Sequence, residues 1–470
     1  MAEYDCIVVG GGLSGLAAAV RLAHFGQRVG IFEAHRVTGG LNSWYRRNGR
    51  QIDTGLHALT NYVPPDMRNA PLNRILRQLR ISRKELELEP QRFSEIRFPG
   101  TSLVLDNDFA HFTARVQELF PEDAQGFSAL AERIAKCAYS GEMQERRSTL
   151  EVLKEHISSR RLRDMLCMPV MFYGNPEEDD MDFQSFATMF QSVMAEGFAR
   201  PRQGMQGVLA VLERRLREGG AELFTNCRVE KIIVENGRAA GVIDAHNAVH
   251  RARCIISTAG AVETAALCCG TGTAAPDDIP VMNNCRPGKV GFVEAVYALD
   301  APAAQYGLEA AVTFWCRQDE FAFHAGQRQT VADSALLVCA PGNYPGCTGE
   351  EAQQLRLSAL TAPGLWLDPS VPEDVYTGNK KAAAQMLQQA LATQWPQLAA
   401  HMHCIDFFTP RTFRRFTGHC NGAIYGSPDK LRDFSSGIEN LQIAGTDQGL
   451  LGIVGAMLSG VLAANNTLLQ

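Results

Sequence analysis

The sequence has no C-x-x-C pair, no basic block joined to aromatic residues, and no apolar run of membrane-spanning length. Its thirteen cysteines are odd in number and scattered, with only Cys268 and Cys269 adjacent, which argues against a zinc site and a disulfide framework. These thiols read as small buried apolar residues in a reducing, cytoplasmic protein. The net charge of −6 over 470 residues offers nucleic acid no general attraction. Ile7 to Val20 is apolar, but Glu3 and Asp5 precede it where a signal peptide carries basic residues. Leu450 to Ala464 is apolar but holds three glycines and one serine, so no transmembrane helix is expected. Arginines interleave with leucines from Leu72 to Leu79, which predicts an amphipathic helix and leaves a peripheral membrane contact open.

What the chain does have is concentrated at its start. Cys6 to Val9 is an apolar run that fits a strand buried on both faces, and a helix-compatible stretch follows at once. Between them Gly10, Gly12 and Gly15 make G-x-G-x-x-G. The first glycine suits a tight turn, the second admits a pyrophosphate against bare backbone, and the third lets helix pack on strand. Glu33 ends the next strand, where a carboxylate accepts from both ribose hydroxyls and repels a 2′-phosphate, disfavouring NADP. Gly39 and Gly40 then mark a second close approach of backbone.

Val8 to Gly40 resembles the FAD-binding N-terminus of the flavin amine oxidase and phytoene desaturase superfamily, nearest its branch of retinol saturase, carotenoid isomerase and bacterial relatives. Gln51 to His57 resembles the stretch of that family beside the isoalloxazine ring. Pro201 to Gly207, the strands around Asn236-Gly237 and Cys254 to Gly260 resemble its second FAD segment. Thr409 to Phe416, Gly422 to Gly426 and Leu441 to Asp447 resemble its C-terminus. The resemblance implies noncovalent FAD held by Gly10, Gly12, Leu13, Ser14, Gly15, Glu33, Ala34, Gly39, Gly40, Leu41, Gly55, Leu56, His57, Val229, Gly445, Asp447, Ile453 and Val454. It places His57, Arg414, Arg415 and Tyr425 nearest the ring as candidates to orient substrate or move a proton. Cys420 is a candidate covalent tether, although its surroundings do not match that motif. No metal site is expected.

The implied fold is α/β, a Rossmann-like, three-layer FAD-binding domain of the glutathione-reductase kind with an inserted α+β substrate domain. The expected division gives 1–65, 200–285 and 405–470 to the first and 66–199 and 286–404 to the second. Helices are expected from about Phe109 to Phe198, where Met171, Phe172, Phe183, Phe186, Met189 and Phe190 read as core or as an adaptable apolar pocket. Short apolar runs at Phe292–Tyr297 and Ala335–Cys339 predict strands, and Ala382 to Trp395 a helix. Gly270-Thr271-Gly272 lacks the strand-to-helix context of a second nucleotide site, so a bound NADPH reductant is unsupported.

The expected activity is that of an FAD-dependent oxidoreductase acting on carbon-carbon bonds of an apolar prenyl, polyene, carotenoid- or retinoid-like substrate by desaturation, saturation or redox-assisted isomerisation. The electron donor or acceptor is open. Two alternatives stand beside it: a flavin-dependent amine oxidase, and a non-catalytic prenyl-binding escort protein of the same fold.

Overall fold

The computed structural model describes residues 3–138, 145–175, 177, 179–269, 282, 284–322 and 331–469. Gly270-Thr271-Gly272 lies outside them. Two seven-stranded sheets carry the molecule.

The first is built on Tyr4–Val9, whose residues are almost all buried, as a central parallel strand requires. It pairs in parallel with Val29–Phe32 on one side and with Val249–Ser257 on the other. Glu222–Phe224 extends the first side and Leu441–Ile443 pairs in parallel with Val249–Ser257. The start of that long strand also pairs antiparallel with Arg238–Asp244, the return arm of the hairpin that Asn236 and Gly237 turn with positive φ. Helix Leu13–Ala23 packs against Gly452–Leu469 so closely that a Cβ on Gly460 would stand 1.9 Å from the Ser14 carbonyl oxygen.

This last helix is longer than its composition suggested. It reaches Leu469 with a mean hydropathy of 1.4, so by length and composition alone it could cross a membrane. Here its Ile453, Val454, Met457, Val461 and Ala463 are buried in the core of the first sheet.

The second sheet runs Met402–Phe408, Gly291–Leu299, Gln354–Thr361, Ala332–Cys339, Val312–Cys316, Ser94–Phe98 and Thr101–Leu105. All its pairs are antiparallel except Val312–Cys316 with Ser94–Phe98. Helices between Phe109 and Phe190 cover one face with Phe, Met and Leu side chains, in line with the helical reading of that stretch. On the other face lies Glu373–Ala392, which begins well before the expected Ala382, its first turn carrying Glu373 and Asp374. Pro71–Gln78 is the amphipathic helix the leucines and arginines predict: Leu72, Ile75 and Leu76 are buried while Arg74 and Arg77 face solvent.

Candidate functional site

At the end of Tyr4–Val9 the chain turns through Gly10, whose φ of +100° favours glycine. A Cβ on Gly10 would stand 2.5 Å from Thr258 Oγ1, and one on Gly15 2.0 Å from the Gly10 carbonyl oxygen, so both glycines are demanded by the protein's own packing. Gly12 is different. Its φ is an ordinary −68°, and a Cβ there would meet nothing within 4 Å. The open space in front of Gly12 is bordered by the second glycine loop, since Gly12 bridges Gly39 and the Gly40 Cβ position lies 3.4 Å from the Gly12 Cα. Gly445 has similar room, since the nearest atom to a Cβ there would be Ser14 Oγ at 3.9 Å. Bare backbone on several sides, at the N-terminus of helix Leu13–Ala23, is what a pyrophosphate needs. The residues present fit FAD.

Glu33 is buried, and its two carboxylate oxygens accept from the Gly11 and His35 amides at 2.7 Å each. These bonds fix the carboxylate while each oxygen keeps capacity for a ribose hydroxyl. Ala34 follows it, half-buried. The Cys227 amide donates to the Glu33 carbonyl and that of Asn226 to His35, which brings the buried Val229 beside this end of the cleft. Leu41 is half-buried, and a Cβ on Gly55 would stand 2.4 Å from the Leu41 carbonyl oxygen, so Gly55 packs against the double-glycine loop. Asp447 is buried and holds the protein together across the cleft, accepting from the Ala261 amide at 2.6 Å and the Ser427 amide at 2.8 Å. Lys430 Nζ lies 4.0 Å from it and donates to the Tyr425 carbonyl; burial pulls this ammonium down to about 8. Ile453 and Val454 open the C-terminal helix, both buried.

His57 leads to the second sheet. Its Nε2 donates to Glu294 Oε2 at 2.9 Å, with Ser358 Oγ 3.3 Å from the same nitrogen and 3.0 Å from the same carboxylate oxygen. Glu294 and Ser358 are cross-strand partners. Arg356, two residues before Ser358 and so on the same face of the strand, donates to Glu294 at 2.8 Å and to the Asp53 and Thr54 carbonyls. Burial alone would raise the Glu294 carboxyl, but Arg356 and then His57 outweigh it and hold it at about 2. With Nε2–H donated to Glu294, Nδ1 is the ring nitrogen left outside that contact.

A second buried network adjoins this one. Asp53 pairs with Arg200 at 2.9 Å, Arg200 also binds Glu351, and the other Asp53 oxygen accepts from the Met205 amide at the start of helix Gly204–Glu218. That carboxylate leaves no room at Gly204, where a Cβ would stand 2.5 Å from Asp53 Oδ2. The backbone carbonyl of the buried Leu56 accepts from Arg200.

On another side His57 meets a buried aromatic cluster. Tyr173 lies 6.5 Å from His57 ring to ring and stacks on Phe198, and Phe314, Phe172, Phe292 and Leu337 belong to the same core. Tyr425 packs edge-on against Phe292 and donates its hydroxyl to the Phe172 carbonyl. Arg414 and Arg415 are exposed on helix Pro410–Thr417. Cys420 is exposed too, its amide donating to Glu263; partial desolvation of the thiol and the nearby Glu263 carboxylate raise it. Among the described residues no group of His, Cys, Asp or Glu could hold a metal ion.

Sequence reasoning missed Glu294, Arg356, Ser358 and Tyr344. The signal was present as charge inside apolar strands, Glu294 in Phe292–Tyr297 and Arg356 between Leu355 and Leu357. Such residues are buried only when paired.

A parallel sheet with a glycine-lined dinucleotide cleft, joined through His57 to an apolar wall on a second sheet, is the layout of an FAD-dependent oxidoreductase. The profile described as flavin containing amine oxidoreductase matches residues 13–271, more than half of the chain, and the chain belongs to that family. It is 23% identical to an all-trans-retinol 13,14-reductase of Danio rerio, over all of this chain and 86% of the relative. It is 25% identical to a chloroplastic prolycopene isomerase of Daucus carota and 27% identical to a neurosporene-forming phytoene desaturase of Cereibacter sphaeroides, each over 55% of this chain. These matches span 46% and 53% of the two relatives, about half their length. Among solved structures, an oxidoreductase of Methanosarcina mazei matches with a TM-score of 0.68 at 18% identity, over 98% of this chain and 99% of the other. A putrescine oxidase variant matches with a TM-score of 0.62 at 16% identity, over 99% of each chain. These two show the fold alone.

Proposed function

We propose that this enzyme exchanges hydride between FAD and a carbon-carbon bond of an apolar polyene or prenyl substrate, by desaturation, saturation or redox-assisted isomerisation. The observation that carries the reading is the aromatic cluster of Phe172, Tyr173, Phe198, Phe292 and Phe314, which reaches His57 through Tyr173. FAD, when bound, supplies hydride acceptance or donation. The named relatives, a retinol reductase, a prolycopene isomerase and a phytoene desaturase, act on such molecules by name.

In this reading Gly12, Gly40 and the amides at the start of Leu13–Ala23, Leu13, Ser14 and Gly15 among them, hold the pyrophosphate, with Gly10 and Gly39 shaping the two loops. Glu33 takes the adenosine ribose, Ala34 and Val229 border the adenine, and Asp447 with Gly445 lies toward the ribityl chain. Leu41, Gly55, Leu56, Ile453 and Val454 complete the cleft. His57 orients substrate and holds or releases a proton at Nδ1, with Glu294 and Ser358 fixing the ring. The aromatic wall excludes water. We assign the first sheet and its helices to cofactor binding and the second to substrate, the latter including strand Met402–Phe408, which pairs with Gly291–Leu299.

The test is the visible spectrum of the purified protein, with the cofactor released by acid identified by mass and the holoenzyme then offered apolar polyenes and amines. FAD in the supernatant and turnover of a polyene support the reading. Peroxide release with amines and none with polyenes would replace it by an amine oxidase, and a protein that stays colourless with added FAD by a prenyl-binding escort.

A further inference from the structure

Two buried phenols of the aromatic cluster that reaches His57 through Tyr173 lack something to bond. Tyr173 and Tyr344 are 8% and 3% exposed, and neither hydroxyl has a hydrogen-bond partner among the described residues. Tyr173 sits in the last turn of helix Arg160–Gly174, stacked on Phe198 at 5.5 Å and 5.6 Å from Phe314. Tyr344 follows the short turn Pro341–Asn343, just past strand Ala332–Cys339. The Cys339 thiol, at the end of that strand, donates to the His57 carbonyl at 3.3 Å. Burial, and next to it the nearness of Tyr344 and Cys339, keep the Tyr173 phenol protonated, so it is a donor at any ordinary pH. Tyr344 is held protonated in the same way.

A buried O–H without an acceptor is unfavourable, and native proteins rarely leave one. The acceptors around this pair are already engaged: Glu294 by Arg356, His57 and Ser358, the His57 carbonyl by Cys339, and the Phe172 carbonyl by Tyr425. Tyr173 packs against the rings of Phe198 and Phe314, which cannot accept, and its hydroxyl bonds neither to them nor to the His57 ring nearby.

We propose that Tyr173 and Tyr344 donate hydrogen bonds to an oxygen carried by the substrate, a hydroxyl or carbonyl on an otherwise apolar chain. The site is then built for oxygenated polyenes or prenyls, not for pure hydrocarbons. A hydroxyl or carbonyl oxygen has two lone pairs and can serve both phenols. A hydrocarbon would leave both donors buried and unpaired, which is how a site of this kind discriminates strongly between analogues that differ by one oxygen. This inference rests on the proposed apolar substrate.

The holoenzyme is titrated with all-trans-retinol and with its deoxy hydrocarbon, which keeps the polyene and lacks the oxygen, reading quenching of protein fluorescence. The alcohol should bind at least about tenfold more tightly. Tyr173→Phe and Tyr344→Phe should each weaken the alcohol by roughly 5- to 10-fold, the worth of one hydrogen bond. Binding of the hydrocarbon and the flavin spectrum should not change. Because each variant removes only an unpartnered hydroxyl, the ligand-free Tm should stay level or rise. Equal affinity for the two ligands in the wild type overturns the inference while leaving the polyene reading intact. So does a variant that shifts the flavin spectrum or FAD affinity without touching alcohol preference, since the phenols would then serve the cofactor. A fall in ligand-free Tm also overturns it, by revealing a partner within the protein. If neither ligand binds, the polyene reading falls and this inference with it.

Discussion

Glu294 sits on a strand whose every residue is buried, and its charge survives there because Arg356 and His57 surround it. Removing one partner of such a pair strands the other charge. Arg356→Met should therefore lower stability by about 3–5 kcal/mol, read as a shift in denaturant midpoint. A shift under about 1 kcal/mol would mean that the pair contributes little. The depressed carboxyl also sets a sign for pH. Its contribution is complete above the ordinary glutamate value of 4.5 and is lost as pH falls toward about 2. The stability difference between wild type and Glu294→Gln should shrink as pH falls through that acid window, and a difference that stays constant there would contradict the pairing. These residues were hard to read in sequence because a charge in an apolar strand announces burial but not its partner. Arg356 meets Glu294 only through sheet pairing across 62 positions. Glu33 was legible because its partners, Gly11 and His35, lie in the same βαβ unit.

Among elements, the glycine loop makes a sharper test than any single contact. Gly12→Val places its side chain in open space, with no strain at φ −68°, so the apo fold should hold. FAD should be displaced, at a cost of about 1–3 kcal/mol, or roughly 5- to 150-fold in affinity. Gly15→Val strikes the Gly10 carbonyl and should reduce stability before any cofactor is added. Thermal melts with and without FAD separate the two. Equal losses of apo stability in both variants would contradict the assignment of the open space to a ligand. Gly460→Val likewise drives a side chain into the Ser14 carbonyl and should destabilise the contact between the first and last helices, again visible without cofactor. Elements of this first sheet were legible because they carry local signals, a glycine turn, an Asn-Gly hairpin and short apolar runs. In the second sheet the apolar runs Phe292–Tyr297 and Ala335–Cys339 announced two strands but not their neighbours. Its strands are joined by long-range pairing, as when Val312–Cys316 finds Ser94–Phe98, and no local pattern encodes that neighbour.

At the scale of the whole molecule, the cofactor cleft on one sheet and the apolar wall on the other meet at the segment Asp53–His57. Asp53 accepts from the Met205 amide at the start of the helix that begins at Gly204, the carbonyls of Asp53 and Thr54 accept from Arg356, and His57 donates to Glu294. One short stretch of chain thus ties the two sheets together, and in the proposed reading this brings cofactor and apolar substrate to one place. The measurement that tests it most directly is an anaerobic mixing experiment, with oxidised and reduced holoenzyme each added to a conjugated polyene while the flavin and polyene bands are followed together. The polyene band is expected to shift, with flavin oxidation state changing in proportion for desaturation or saturation, or returning unchanged for isomerisation that requires the reduced form. A polyene spectrum that stays constant with both forms, while an amine reduces the flavin, would contradict it.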